Sequence, residues 1–319
     1  MQIRRTKSIS PSQAALFTTC PLRYLLATET RLHKGTPSHP AALLGTAFHK
    51  VVEDCWGRTQ PSSVQLLDAI RQKVKVLVLQ ESGQVTDWIF KKFGLSSVIT
   101  TSKLHSLAKL AFKELATCGP LSPLQTKKGW GDEQAPPNIT GPEAILDSTA
   151  LDIFGKADLV AASPTGYTIT DYKQSLHVSE SGEVPPQYLM QLALYGLVIR
   201  EKFPNAMLTG ILRSPVDTWR QAIDDSSLNE AQSLVTEITR CIPKNKDIES
   251  KSIAVVSEHC SQCRQRNLCP SYAEVLAGGR SSDMESLSRL DASGLVLKKN
   301  SQGSLFSLRI RRSVDEREV

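Results

Sequence analysis

The chain has 319 residues, 40% hydrophobic and 22% charged, a balance expected of a globular protein and not of a disordered or membrane-embedded one. No segment approaches about 18 continuous apolar residues, so no membrane span is expected. Met1-Gln2-Ile3-Arg4-Arg5 lacks the apolar stretch of a secretory signal, which makes a cytoplasmic location the expectation. The net charge of +6 suits a polyanionic partner without establishing one, and an odd count of seven cysteines argues against a disulfide framework.

Ser10-Pro11-Ser12-Gln13 has the pattern of a capping box and predicts a helix to about Cys20, with Pro21 forcing a restart that Leu22, Leu25 and Leu26 continue. Residues 33–40 read as a loop. The next helix starts near Ala41, with Leu44, Phe48, Val51 and Val52 on its apolar side; His49 and Glu53, four apart, share a neighbouring face. Residues 61–118 read as further helices and 119–142 as a Pro- and Gly-rich loop.

The pattern then changes to strands, expected at 144–154, 156–162 and 167–173, with Ser163-Pro164-Thr165-Gly166 as a hairpin loop. A helix is expected over about Pro186–Lys202, a strand pair over 207–213 and 216–223, and a helix opened by a Ser227/Glu230 capping box and ending near Cys241. Beyond Gly278 the chain turns Ser- and Arg-rich, with a small hairpin or a tail over 294–310.

The hairpin carries chemistry. With 163–166 as its loop, Ala162 faces Tyr167, and four rungs further Asp158 stands opposite Asp171. Opposed Cβ atoms lie about 5 Å apart, where two carboxylates repel unless they share a cation or proton. Two hard oxygens suit Mg²⁺ or Mn²⁺. Lys173 lies on the same strand face as Asp171 and reaches the same site. The same register opposes Lys156 to Lys173, a like-charge pair that the spacing alone leaves unexplained. The plainer reading of these charges is a solvated hairpin face.

Three cysteines form the compact run Cys260-x₂-Cys263-x₅-Cys269 before Pro270, and Cys20 before Pro21 can supply a fourth ligand from the far end. Four thiolates suit either a [4Fe–4S] cluster or structural zinc. Cys55, Cys118 and Cys241 fall in no pattern and read as buried small residues.

Leu44-Gly45-Thr46-Ala47-Phe48-His49, Gly155-Lys156-Ala157-Asp158, Asp171-Tyr172-Lys173 and Gln191-Leu192-Ala193-Leu194-Tyr195 resemble, in that order, the motifs of the PD-(D/E)xK nuclease superfamily. The similarity is to the RecB-like branch, which includes the AddB nuclease domain and the CRISPR-associated RecB-like exonucleases. It covers residues 9–272 apart from 57–140. Ala157 replaces a larger aliphatic residue, and Asp171 stands where Glu is commoner.

The resemblance implies an α/β fold: a restriction-endonuclease-like core with a central mixed sheet flanked by helices, an N-terminal helical region and a C-terminal cysteine-bearing segment. One domain would span 1–278, with a helical insertion at 57–142, leaving 279–319 as a tail or hairpin. Asp158, Asp171, His49 and the Tyr172 carbonyl would hold Mg²⁺ or Mn²⁺, and Lys173 would position or activate water. Gln191 and Tyr195, with Gln187 one turn earlier, would orient Lys173 and contact DNA; their plainer reading is a polar stripe on a helix whose core face is Met190, Leu194 and Leu197. Glu143 and Glu53 are further acids near these motifs that could assist, with helix-surface or loop charges as the plainer reading.

Cys20, Cys260, Cys263 and Cys269 would match the iron–sulfur subset of the branch, favouring a [4Fe–4S] staple over zinc. The implied activity is phosphodiester hydrolysis by a DNA exonuclease in repair, recombination, or CRISPR or phage defence, with a helicase or another repair or defence protein as partner. The alternatives are a nuclease-fold module that binds DNA or a helicase without cutting, and a zinc-stapled interaction protein.

Overall fold

The computed structural model describes residues 2–29, 40–58, 60–80, 99–117, 139–263, 265–277, 294–299, 306–311 and 316–318. In chain order the elements are β1 (Gln2–Arg4), α1 (Pro11–Thr19), α2 (Pro21–Thr28), α3 (Pro40–Cys55), α4 (Ser63–Gln80) and α5 (Thr101–Thr117). Then come β2 (Gly141–Ser148), β3 (Ile153–Ser163), β4 (Gly166–Tyr172), α6 (Pro186–Lys202), β5 (Met207–Arg213), β6 (Thr218–Ala222) and α7 (Asp225–Cys241). The chain closes with β7 (Asp247–Glu249), α8 (Pro270–Ala277), β8 (Gly294–Lys299), β9 (Phe306–Arg311) and β10 (Glu316–Glu318). The expected loops at 33–40 and 119–142, the middle of the expected helices at 61–118, Cys118 and the Ser- and Arg-rich start of the tail lie wholly or mostly outside the described residues.

The chain divides into two units, Ser8–Ser12 with Pro37–Thr236 and Met1–Lys7 with Gln13–Thr36 and Glu237–Val319. In the first, the strands form one mixed sheet in the order β2-β3-β4-β5-β6, with β4 and β5 parallel and every other pair antiparallel. A parallel pair needs a long crossover, which α6 supplies. Pro164 and Thr165 turn the chain so that Ser163 faces Gly166 and Ala162 faces Tyr167. The expected single strand at 144–154 is two strands. At its break Ser148 Oγ accepts from Leu151 N at 3.0 Å, and Asp152, at φ +51°, donates to Thr149 O at 3.2 Å.

Helices cover the sheet as the alternation of strand side chains requires. On β4, Tyr172 turns toward α3, where its ring lies 5.5 Å from Phe48, while Asp171 turns toward α6, where it meets Gln191. Phe48, Val51 and Val52 of α3, Ile70 and Val74 of α4, and Leu107 and Ala111 of α5 form one buried cluster that includes Tyr172. Gly196 lets α6 settle on the sheet: a Cβ there would lie 3.2 Å from both Leu208 and Leu228.

Two expected caps are corrected. Gln13 does not close a capping box; its amide donates to Ala27 O at 3.4 Å. The cap of α7 is Asp224, whose Oδ1 accepts from Ser227 N at 2.9 Å and Ser227 Oγ at 2.7 Å, so the helix opens earlier than the Ser227/Glu230 pattern implies.

In the second unit β1 pairs with β7, and Arg4 grips Asp247 through two contacts of 2.9 and 2.7 Å. Arg5 is fully buried and donates to Ile242 O at 2.8 Å. β8, β9 and β10 form a separate antiparallel sheet, and the turn at 300–305 lies outside the described residues.

One ion pair joins α5 to the sheet beneath it. Glu114 is 1% exposed; both its oxygens lie 2.6 Å from Arg213 Nη1, and Oε2 accepts from Tyr172 Oη at 3.0 Å. Removing one partner leaves the other charge buried and uncompensated. Glu114→Ala is therefore expected to lower unfolding stability by about 3 kcal/mol, read as a shift in the urea midpoint at unchanged slope.

Candidate active site

The site begins where β3 and β4 part. Their pairing runs in the expected register from Ser163–Gly166 to Leu159–Thr170 and stops one rung short of Asp158 and Asp171. Freed from the ladder, Asp158 turns one oxygen back, and Oδ2 accepts from Tyr172 N at 2.6 Å. Its other oxygen lies 3.2 Å from His49 Nδ1 on α3. The like-charge conflict between Lys156 and Lys173 disappears for the same reason. Lys156 pairs across β2 with Ile145 and sends its ammonium to Glu143 Oε2 at 3.3 Å, while Lys173 turns inward.

Lys173 Nζ lies 2.6 Å from Asp171 Oδ2, donates to Gln191 Oε1 at 3.1 Å, and sits 4.3 Å above the ring of Tyr188. Gln191 closes the ring by donating Nε2 to Asp171 Oδ1 at 2.8 Å. Gln191 and Tyr195 are 8% and 2% exposed, so they are not a surface stripe; Met190 and Leu197, taken for the core face, are only half-buried. Gln187 is exposed and takes no part in this network. Tyr195 Oη donates to Lys156 O at 2.5 Å and so holds β3 just before Asp158. The glycine three residues before that aspartate now has a physical reason. A Cβ on Gly155 would stand 3.1 Å from the Tyr195 ring and 2.8 Å from Pro11 Cδ.

Glu143, whose plainer sequence reading is a loop charge, stands inside the site. Pro142 pairs with Leu159 and Ala144 with Ala157, so the rung between them sets Glu143 against Asp158. Its backbone is left-handed at φ +50°. His49, Glu143 and Asp158 each offer a ligand atom within 4.8 Å of the others. Glu53 is exposed at the far end of α3. The only early signal for Glu143 would have been the hairpin count extended to β2, which needs the 149–152 turn to be recognised first.

Electrostatically the site is short of positive charge. Burial pushes the Asp158 carboxyl well above the usual carboxylate range, and the negative charge of Asp171 adds to it, against the opposing Tyr172 N–H. Burial also raises Asp171, partly offset by Lys173. Burial lowers His49, which keeps its imidazole neutral at neutral pH, the form that ligates metals. The Tyr195 phenol is raised by burial and by both aspartates. Carboxylates and a neutral imidazole are the donors that fit a hard divalent ion.

The thiols meet in the other unit. Cys20, Cys260, Cys263 and Cys269 line one pocket of about 390 Å³, mouth included, together with Arg23, His259 and Arg266. Cys20 Sγ accepts from Arg23 N at 3.5 Å and Val255 N at 3.4 Å; Cys260 Sγ accepts from Ser257 N and Cys269 Sγ from Tyr272 N, each at 3.4 Å. Burial raises the Cys263 and Cys269 thiols, and the charges of Cys20 and Cys260 raise them further. Four sulfurs around one pocket, three of them receiving N–H groups, fit a thiolate-held metal centre. Cys55 and Cys241 are half-buried and outside it.

The sequence model of the PD-(D/E)XK nuclease superfamily matches residues 8–270. The CRISPR-associated exonuclease Cas4 of Francisella tularensis subsp. novicida (strain U112) is 24% identical over 125 residues, which is 39% of this chain and 59% of that protein. The chain thus spans less than two thirds of that relative's length. Among solved structures, an Eubacterium rectale protein provisionally described as an exonuclease aligns over 73% of this chain and 80% of its own, at 15% identity and a TM-score of 0.38.

The raised aspartates predict a pH dependence. A carboxyl whose folded pKa exceeds its unfolded one makes the folded state bind the proton more tightly. Its contribution to stability is therefore full at low pH and lost as pH rises through the raised value. In EDTA at pH 7.5, Asp158→Asn is expected to melt at least about 2 °C above wild type. The gap should close toward pH 4 in a thermal-shift series; a variant melting lower at pH 7.5 contradicts the account.

Proposed function

The chain belongs to the PD-(D/E)XK nuclease superfamily, and on that premise we propose that it is a metal-dependent deoxyribonuclease, an exonuclease of the RecB-like branch with an iron–sulfur cluster. The observation that carries this reading is the closed ring of Asp171, Lys173 and Gln191 beside Asp158 and His49. The Francisella relative, an exonuclease by name, supports the same reading over the shared 125 residues.

Asp158, Asp171, His49 and the Tyr172 carbonyl would hold Mg²⁺ or Mn²⁺. Such an ion polarises a phosphoryl oxygen and lowers the pKa of water. The chain's own residues do the rest. Asp171 and Gln191 aim Lys173, and the Tyr188 ring covers its ammonium. From there the lysine holds the attacking water and offsets the charge that gathers on the phosphate. Tyr195 fixes the backbone ahead of Asp158, which keeps the two acids in register. Water adds to phosphorus, one P–O ester bond breaks, and the departing oxygen takes a proton.

The four cysteines would hold [4Fe–4S], with zinc as the colourless alternative. The staple would join α2 to the segment before α8, and the N–H groups on sulfur would tune it. DNA is the proposed substrate, and a helicase or another repair or defence protein the proposed partner. Among the described residues no helix is long and apolar enough to cross a membrane. A cytoplasmic, thiol-reducing location suits the free cysteines.

End-labelled single- and double-stranded DNA should be degraded with Mg²⁺ or Mn²⁺ and left intact with EDTA. Lys173→Ala should lose at least about 100-fold of the rate while remaining folded; equal cleavage by wild type and variant would sink the enzyme reading. Protein purified without oxygen should be brown and contain iron and sulfide. Cys263→Ala should be colourless and melt lower.

A further inference from the structure

Glu143 belongs to none of the motifs, yet it shares ligand geometry with His49 and Asp158. His49, Glu143 and Asp158 place one donor atom each within 4.8 Å of the others. Ligands about 2.1 Å from a hard ion lie ~3 Å apart when adjacent and ~4.2 Å when opposite. The three donors therefore need only a small contraction to share one ion.

The two remaining groups point the same way. Asp171 already has both oxygens engaged, one by Lys173 at 2.6 Å and one by Gln191 at 2.8 Å. Glu143 has a cation beside it, the half-exposed ammonium of Lys156 at 3.3 Å from Oε2. That ammonium stands on the solvent side of the cluster, on a flexible stem that can leave without disturbing β3. The backbone of Lys156 is held separately, through its carbonyl, by Tyr195.

We propose that Glu143 is a direct ligand of the divalent cation and that His49, Glu143 and Asp158 receive the ion first, with Lys156 as the monovalent charge it displaces. Asp171 would then join the shell while Gln191 keeps hold of Lys173. The proposal rests on the metal-dependent reading of this same site. It adds a ligand, an order of assembly and a competing cation. The imidazole in the receiving trio favours Mn²⁺ over Mg²⁺.

The test is Mn²⁺ binding to the full chain without DNA, followed by electron paramagnetic resonance of free Mn²⁺ and by calorimetry. Glu143→Gln is expected to weaken binding at least about tenfold, and Asp171→Asn to weaken it less. Lys156→Met is expected to tighten binding about threefold, a direction that loss of fold cannot produce. Unchanged affinity in Glu143→Gln, or weaker binding in Lys156→Met, overturns the proposal. Cleavage is scored separately. Wild type that binds Mn²⁺ through Glu143 but leaves DNA intact upholds the ligand and removes the nuclease; wild type that cuts while Glu143→Gln binds Mn²⁺ normally does the reverse.

Discussion

Three carboxylates on three neighbouring strands, Glu143, Asp158 and Asp171, set the terms for everything around them. Burial favours the neutral form at both Asp158 and Asp171, and at Asp158 the charge of Asp171 adds to it. The fold answers with partial remedies: the Tyr172 N–H on Asp158, the Lys173 ammonium on Asp171, the Lys156 ammonium on Glu143. None removes the conflict at Asp158, the middle member. A structure that keeps this arrangement gives up stability at a buried group of acids, the usual trade at an active site.

What surrounds the row is built to keep it from relaxing. Gly155 admits the Tyr195 ring, whose hydroxyl anchors β3 one residue before the turn toward Asp158. α6 is buried along most of its length, so Gln191 cannot swing away from Asp171 and Lys173. The second unit solves a similar problem with sulfur. Four thiols gathered in one pocket repel as thiolates, and backbone N–H groups supply only part of the missing positive charge.

Much of this was legible in the residues. Pro186–Lys202 and Met207–Arg213 have the expected bounds because period and composition agree there, and Pro164-Thr165 fixes the hairpin register by turn geometry alone. The branched and apolar residues from Ile145 to Phe154 run on across the 149–152 turn and read as one strand, which hid the placing of Glu143 against Asp158. Gln191 and Tyr195 were legible as a helix face but not as buried groups, because hydrophobic period counts every polar residue as surface. Glu114 has no local signal at all; its partners are 58 and 99 residues away.

Glu114 also ties α5 to the candidate site. Tyr172 gives its N–H to Asp158 and its hydroxyl to Glu114 of α5. A single residue is thus shared by the candidate site and that helix. Tilting or sliding the last turns of α5 would pull on the strand that carries Asp171 and Lys173, with Arg213 moving alongside. A change in the last turns of α5 therefore reaches the strand that carries Asp171 through one acidic side chain.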